Sequence, residues 1–237
     1  MDWLRDLQIL PQPDDTTCGP TCLHAIYDYY GDEIPIKQVI EEVSSLKEGG
    51  TLAVMLGCHA LKRGYRAKIY TYNLQVFDPA WFQTKTDISS RLSKQLKHKR
   101  SRKLRASTNA YLEFLKLGGK VLFEDLTATL IRKYLYRSVP ILTGLSSTYL
   151  YHSTRERVAD CTADDIRGEP TGHFVILCGY EKEKRIVLVA DPYKNNPLSN
   201  KQLYPVQASR LIGAILLGIL TYDANLLIIE KPGKVKK

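Results

Sequence analysis

Two apolar runs, His173 to Tyr180 and Arg185 to Asp191, stand on either side of the charged tetrad Glu181 to Lys184. β-Branched and aromatic residues flanking a short polar stretch are a hairpin signal, and no other feature restricts the fold as much. If the hairpin turns about residue 182, His173 and Asp191 lie nine positions to either side and face each other. Directly opposed residues of an antiparallel pair share a face with Cβ atoms about 4.5–5.5 Å apart, near enough for a carboxylate to hold an imidazole. Such a contact fixes the ring's tautomer and stabilises its cation. The hairpin therefore predicts a sheet carrying a histidine–aspartate pair.

Upstream, Cys18-Gly19-Pro20 opens a segment in which Leu23, Ile26, Tyr27 and Tyr30 have helical spacing, and Gly31 stops it. Pro20 suits a first turn, where its missing N–H would have no intrahelical partner. A thiol reacts through its thiolate, which a helix N-terminus and a nearby imidazolium favour. Cys18 stands at such an N-terminus, with Cys22 one turn deeper. Acyl transfer also needs donors for a developing oxyanion, and an amide side chain with the nucleophile's own N–H is one way to supply them. Gln12, six residues before Cys18, is the candidate. Singly, each residue has a plainer role: a buried cysteine, a strand-end histidine, a turn-opening aspartate before Pro192. Together they have compatible chemistry, with Cys18 as nucleophile, His173 as base and Asp191 as the group that orients the histidine.

The remaining chain reads as an α+β fold with the cysteine helix packed on an antiparallel sheet. Helices are expected at Ile36 to Ser44, Leu52 to Arg63 and Leu126 to Tyr136, the second opened by a Gly49-Gly50-Thr51 turn with a hydroxyl cap. Strands are expected at Arg66 to Tyr72, Ile141 to Gly144 and Leu226 to Glu230, and a core helix at Leu211 to Leu220. Residues Ile88 to Leu117 read as one or two polar helices with thin seams at Leu92, Leu96, Leu112 and Leu115, a basic insertion or covering arm spanning about 84–118. Tyr149 to Gly172 reads as a flexible loop near the site. No boundary for a second domain appears, so residues 1–237 are expected to form one.

Of the net charge of +9, eight positive residues lie between Arg91 and Arg105, where there is no Asp or Glu, leaving about +1 for the rest. The patch, with Lys97, Lys99, Arg100, Arg102, Lys103 and Arg105, has almost no aromatic residues for base stacking, so no nucleic-acid partner is expected. Its plain role is a solvated helix face; its functional role would be to steer an acidic peptide or protein substrate to the thiol. The five cysteines are irregularly spaced and expected to be reduced. Cys58-His59, with His24, Cys22, Cys161 and His152, shows no zinc spacing, Cys22 and Cys178 read as core residues, and no metal or organic cofactor is expected. The longest apolar stretch has ten residues, short of the roughly 20 that cross a bilayer, and the first residues do not read as a secretory signal. A cytoplasmic location is expected.

Gln12, Cys18-Gly19-Pro20, Gly172-His173-Phe174-Val175 and Asp191-Pro192-Tyr193 together resemble the bacteriocin-processing, double-glycine-leader peptidases, cysteine peptidase family thirty-nine. The resemblance frames residues 9 to 193. It implies a papain-like fold and, for Gln12, Cys18, His173 and Asp191, the roles of oxyanion donor, nucleophile, base and orienter. The chain departs from transporter-borne members in having no GxxxxGK[ST] phosphate loop and in adding the basic arm. The reading is a cysteine peptidase or amidohydrolase working through a thioester; an acyltransferase with the same site and a non-catalytic peptide-binding module are the alternatives.

Overall fold

The computed structural model describes residues 2–4, 6–46, 50–84 and 86–232. One mixed sheet runs through the molecule, built from β2 (Arg66–Thr71), β3 (Lys120–Leu122), β4 (Ile141–Ser146), β5 (Gly172–Glu181), β6 (Ile186–Ala190), β7 (Leu203–Gln207) and β8 (Asn225–Glu230) in the order β3-β2-β8-β4-β5-β6-β7. The short β1 (Asp2–Trp3) pairs with β5 beyond the end of β4. All pairings are antiparallel except β2 with β3. Pro205, which has no N–H to donate, sits in the edge strand β7.

The alternation of side chains along each strand divides the apolar residues into two cores. From β5, Phe174, Ile176 and Cys178 enter one core, with α1 (Cys18–Tyr29) and α3 (Ala53–Lys62) packed on it through Leu23, Ile26 and Leu56. Val175 and Leu177 enter the other, with α6 (Ala128–Leu135) and α8 (Ala208–Leu217) contributing Ile131, Leu211 and Ile215. This two-sided burial is what the period-2 geometry of a strand requires when both faces are covered. α2 (Ile36–Glu42) packs against α1.

The basic segment is less peripheral than an arm. Its helices α4 (Ile88–His98) and α5 (Arg102–Lys116) form the connection between parallel strands β2 and β3, which cannot be joined by a tight turn. Leu92 is buried, but on α5 the buried apolar residues are Leu104, Ala110, Tyr111 and Phe114, while the expected seam residues Leu112 and Leu115 are half-buried. Ser107 and Thr108 share the buried face, Thr108 by donating its hydroxyl to the Leu104 carbonyl at 2.7 Å. Gly57 and Gly119 leave the space that the Phe114 ring fills.

The expected hairpin forms, but its register differs. Ile176 pairs with Ala190 and Leu177 with Val189, whereas beyond an irregularity at Cys178 the partners become Gly179 with Leu188 and Tyr180 with Val187. One extra residue in β5 moves the turn, so His173 and Asp191 are not directly opposed; His173 instead has Leu145 of β4 as its cross-strand partner. Continuing the outer register would set Asp191 opposite Val175, two residues from His173 and on the same face. Diagonal neighbours of this kind remain within reach of long side chains. The expected hydroxyl cap on α3 is also absent, since Thr51 donates to the Ser44 carbonyl at 2.9 Å; Gly49 of that turn lies outside the described residues. The stretch expected as a loop from Tyr149 begins inside a short helix, α7 (Ser147–Tyr151), and continues through the isolated pairings of Glu156 with Ala163 and Glu169.

Candidate active site

His173 is the second residue of β5, and Asp191 follows the last residue of β6. The His173 Nε2 donates to Asp191 Oδ1 at 2.8 Å, so Nδ1 is the ring nitrogen left to face Cys18. Asp191 is fully buried, and three further donors meet it: the Tyr193 N–H on Oδ1 at 2.8 Å, and the Tyr151 and Tyr204 hydroxyls on Oδ2. Burial alone would raise the Asp191 pKa, but the His173, Tyr204 and Tyr151 contacts outweigh it and hold the carboxyl below the usual carboxylate range. Burial likewise pulls His173 down, and the Asp191 and Cys18 contacts reverse that, pushing the imidazole up to about 10. The arrangement favours an imidazolium between an acid and a thiol. Tyr151 and Tyr204 are absent from the sequence reading; one lies on a five-residue helix and the other on an edge strand, and no local pattern marks either as an aspartate ligand.

Cys18 is the first residue of α1 and is half-buried. The first helical bond is made by Thr21, whose N–H donates to the Thr17 carbonyl at 3.0 Å. Pro20 has no N–H, and among the described residues no acceptor takes the N–H of Cys18 or Gly19. Two donors and the positive end of the helix therefore remain beside the sulfur. Cys22 is buried, with its thiol against the Phe174 carbonyl at 3.3 Å, and burial pushes it up. Cys178 is also buried, its thiol pushed up to about 12 by the loss of solvent. Both are core thiols.

Gln12 is tied to the turn after Asp191 by its own N–H, which donates to the Pro192 carbonyl at 2.9 Å. Its Nε2 donates to the Asp14 carbonyl at 2.8 Å. Asp14 is itself fixed by the Thr16 N–H and hydroxyl, each donating to its Oδ1 at 2.8 Å. A primary amide carries two N–H groups, so one orients Gln12 and one is left for a ligand.

Cys18 and His173 line one cleft of about 380 Å³, walled by Thr51, Phe174 and the segment after α7. Of the basic patch only Lys103 reaches this cleft; Lys97, Lys99, Arg100, Arg102 and Arg105 are exposed around the start of α5. The other charged lining residues are Arg157 and the acids Asp15, Glu156, Glu169 and Asp223. Among the described residues no three His, Cys, Asp or Glu side chains stand together in a way that could hold a metal ion, and no helix is long and apolar enough to cross a membrane. Cys58 faces the Ala110 carbonyl, while His59 is bonded between Tyr27 and Glu42.

Residues 4–211 match the Peptidase_C39 like family. The chain belongs to this family. Its α+β fold is that of papain-like peptidase domains, as shown by a Bacillus anthracis protein designated a C39-like peptidase, with TM-score 0.52, 14% identity and 98% of both chains covered. The peptidase domain of Streptococcus ComA, a bifunctional ABC transporter of a quorum-sensing pathway, aligns with TM-score 0.44 and 13% identity over 95% of this chain and 99% of its own. A double-glycine-motif protease from an AMS/PCAT transporter, solved with its leader peptide, aligns with TM-score 0.45 and 13% identity over 95% and 91%. No curated protein matches the sequence.

Proposed function

We propose that this C39-like protein is a cysteine peptidase that cleaves a peptide or amide bond with Cys18, His173 and Asp191, acting as one domain in the cytoplasm. The observation that carries the reading is the single polar line from buried Asp191 through His173 to a thiol at a helix start that opens on a cleft. His173 keeps its proton while the Cys18 sulfur attacks the carbonyl carbon. The oxyanion that forms is met by the Cys18 N–H and the second N–H of Gln12 Nε2. His173 then gives its proton to the leaving amine, a thioester remains on Cys18, and water activated by His173 releases the acid. Asp191 holds the tautomer that leaves Nδ1 toward the sulfur.

The substrate is a peptide, the class that one structural relative holds as a leader. Digestion of a peptide library followed by mass spectrometry tests the reading. Cleavage by the wild type and by Cys22→Ala, with none by Cys18→Ala, is expected. Cleavage that survives in Cys18→Ala contradicts it.

A further inference from the structure

Asp223 lies on the same cleft as Cys18 and His173 and follows the left-handed turn at Tyr222, well outside the catalytic line. It is only 6% exposed, and its Cβ is packed against Gly144 so closely that a Cβ there would lie 2.5 Å away. One of its oxygens is spent on structure: Oδ1 accepts the Ala53 N–H at 2.9 Å, capping α3, and the Asn225 Nδ2 at 3.4 Å. Oδ2 has no hydrogen-bond partner among the described residues and is not sealed from solvent, so it faces the cleft. Lys103 of α5 lines the cleft beside it with its ammonium 5.1 Å from the Tyr222 ring centroid, and the two form no salt bridge.

Capping α3 needs only one carbonyl-type oxygen, and an asparagine oxygen would accept the Ala53 N–H equally well, so the cleft-facing Oδ2 has no structural task there. The structure thus holds an acceptor and, next to it, a donor, both open to one cleft and neither satisfied by the other. An amide group presents an N–H donor and a carbonyl acceptor side by side and adds no charge. The attraction of an acid to Lys103 is offset by its repulsion from Asp223, and that of a cation to Asp223 by its repulsion from Lys103, so the pair favours a neutral group.

Resting on the peptidase reading, we propose that Asp223 and Lys103 form a subsite that binds an amide group of the substrate peptide, its N–H on Asp223 Oδ2 and its carbonyl on Lys103 Nζ. Ring Phe174 lies between this subsite and the start of α1, touching the space above both Gly19 and Gly144. The subsite therefore engages the peptide on one side of the bond under attack. The electrostatics agree: burial pushes the Asp223 carboxyl up to about 7, against the pull of the Ala53 N–H, Lys103 and Asn225. Tyr111, the other titratable group facing it, is buried and donates to Asn225 at 3.3 Å. A group so reluctant to stay charged gains more from a donor than a solvated carboxylate would.

The test is binding, measured apart from turnover. Octapeptides randomised at one position at a time are captured on Cys18→Ala protein and on the same protein carrying Asp223→Asn or Lys103→Met. Each added substitution is expected to weaken the retained peptides about tenfold, the loss of one hydrogen bond to a charged group. Asn or Gln enriched at one position, with the enrichment lost in Asp223→Asn, assigns the amide to a side chain. A uniform loss without enrichment assigns it to the backbone. Unchanged affinities in both variants, enrichment of Lys, Arg, Asp or Glu at the sensitive position, or no capture at all overturns the proposal. Lys103→Met alters a partly exposed residue, so it keeps the test valid if Asp223→Asn misfolds. Absence of cleavage by the wild type would count against the peptidase reading and leave the binding result standing.

Discussion

The protein contains two histidines built into nearly the same chain of groups. His173 stands between Asp191 and Cys18; His59 stands between Glu42, at 3.0 Å from Nε2, and Tyr27, at 2.8 Å from Nδ1. Yet His173 is pushed up to about 10, while burial holds His59 below its ordinary value despite the pull of Glu42. The difference lies in the acids and their neighbours. Asp191 has no solvent contact and must be answered by the groups around it, whereas the Glu42 side chain is 43% exposed and water shares its charge. Arg63 and Lys62 also face His59 and oppose a second positive charge there, while the largest influences on His173 after burial are Asp191 and Cys18, both of which raise it. The histidine–carboxylate contact thus favours an imidazolium at His173, where the carboxylate is buried and Cys18 adds to it, and not at His59, where the carboxylate is exposed and Arg63 and Lys62 stand near.

The comparison breaks most visibly at the acids. Asp191→Asn is expected to lower kcat by about 10³–10⁴-fold, because the ring loses the acceptor that fixes its tautomer. Glu42→Gln should leave kcat unchanged. Steady-state kinetics on both variants checks this, and equal losses would mean that the two chains do not differ in role.

Removing one support of Asp191 should have a smaller effect. Tyr204→Phe leaves a buried carboxylate one hydrogen bond short, at a cost of about 1.5–3 kcal/mol in unfolding free energy. Asp191 has a lowered pKa, so its contribution to stability is present above the unfolded value of 3.8 and lost as pH falls through the folded one. The variant raises the folded value, and the acid limb of the activity profile should move to higher pH. Denaturant titration and a pH–rate profile measure the two effects.

The smallest effect is in the pH dependence of stability, where the histidines act in opposite directions. His59 binds its proton less well folded than unfolded, so its share of stability is lost as pH falls below 6.5. His173 binds its proton better folded, so its share is complete below 6.5 and lost as pH rises toward about 10. His59→Gln should flatten the acid side of the stability curve, and His173→Gln the alkaline side. The same flattening from both substitutions would remove the distinction.

Much of the candidate site's geometry is legible in the sequence because its parts carry local signatures. Cys18-Gly19-Pro20 opens a helix as expected, with Cys18 already its first residue, and the hairpin brings His173 and Asp191 into contact. The register was not legible, since the irregularity at Cys178 lies inside an apolar run and changes no residue pattern. Tyr151 and Tyr204 reach Asp191 only through tertiary packing of α7 and β7, elements of five residues each that offer too few positions to reveal a period. The buried face of α5 is legible only in part, because Ser107 and Thr108 occupy it while Leu112 and Leu115, which also pack against the core, lie at its margin. Asp223 has no motif around it, and its position over the cleft depends on a turn after α8.

The central claim is that His173 holds a proton while Cys18 is ready to attack. The rate of Cys18 alkylation by iodoacetamide as a function of pH, in the wild type and in His173→Ala, tests it most directly. With a proton held on His173, rapid alkylation is expected below pH 7 and disappears in the variant, in contrast to a simple thiol with its pKa of about 8.5. Alkylation that rises only above that value and is the same in both proteins would contradict it.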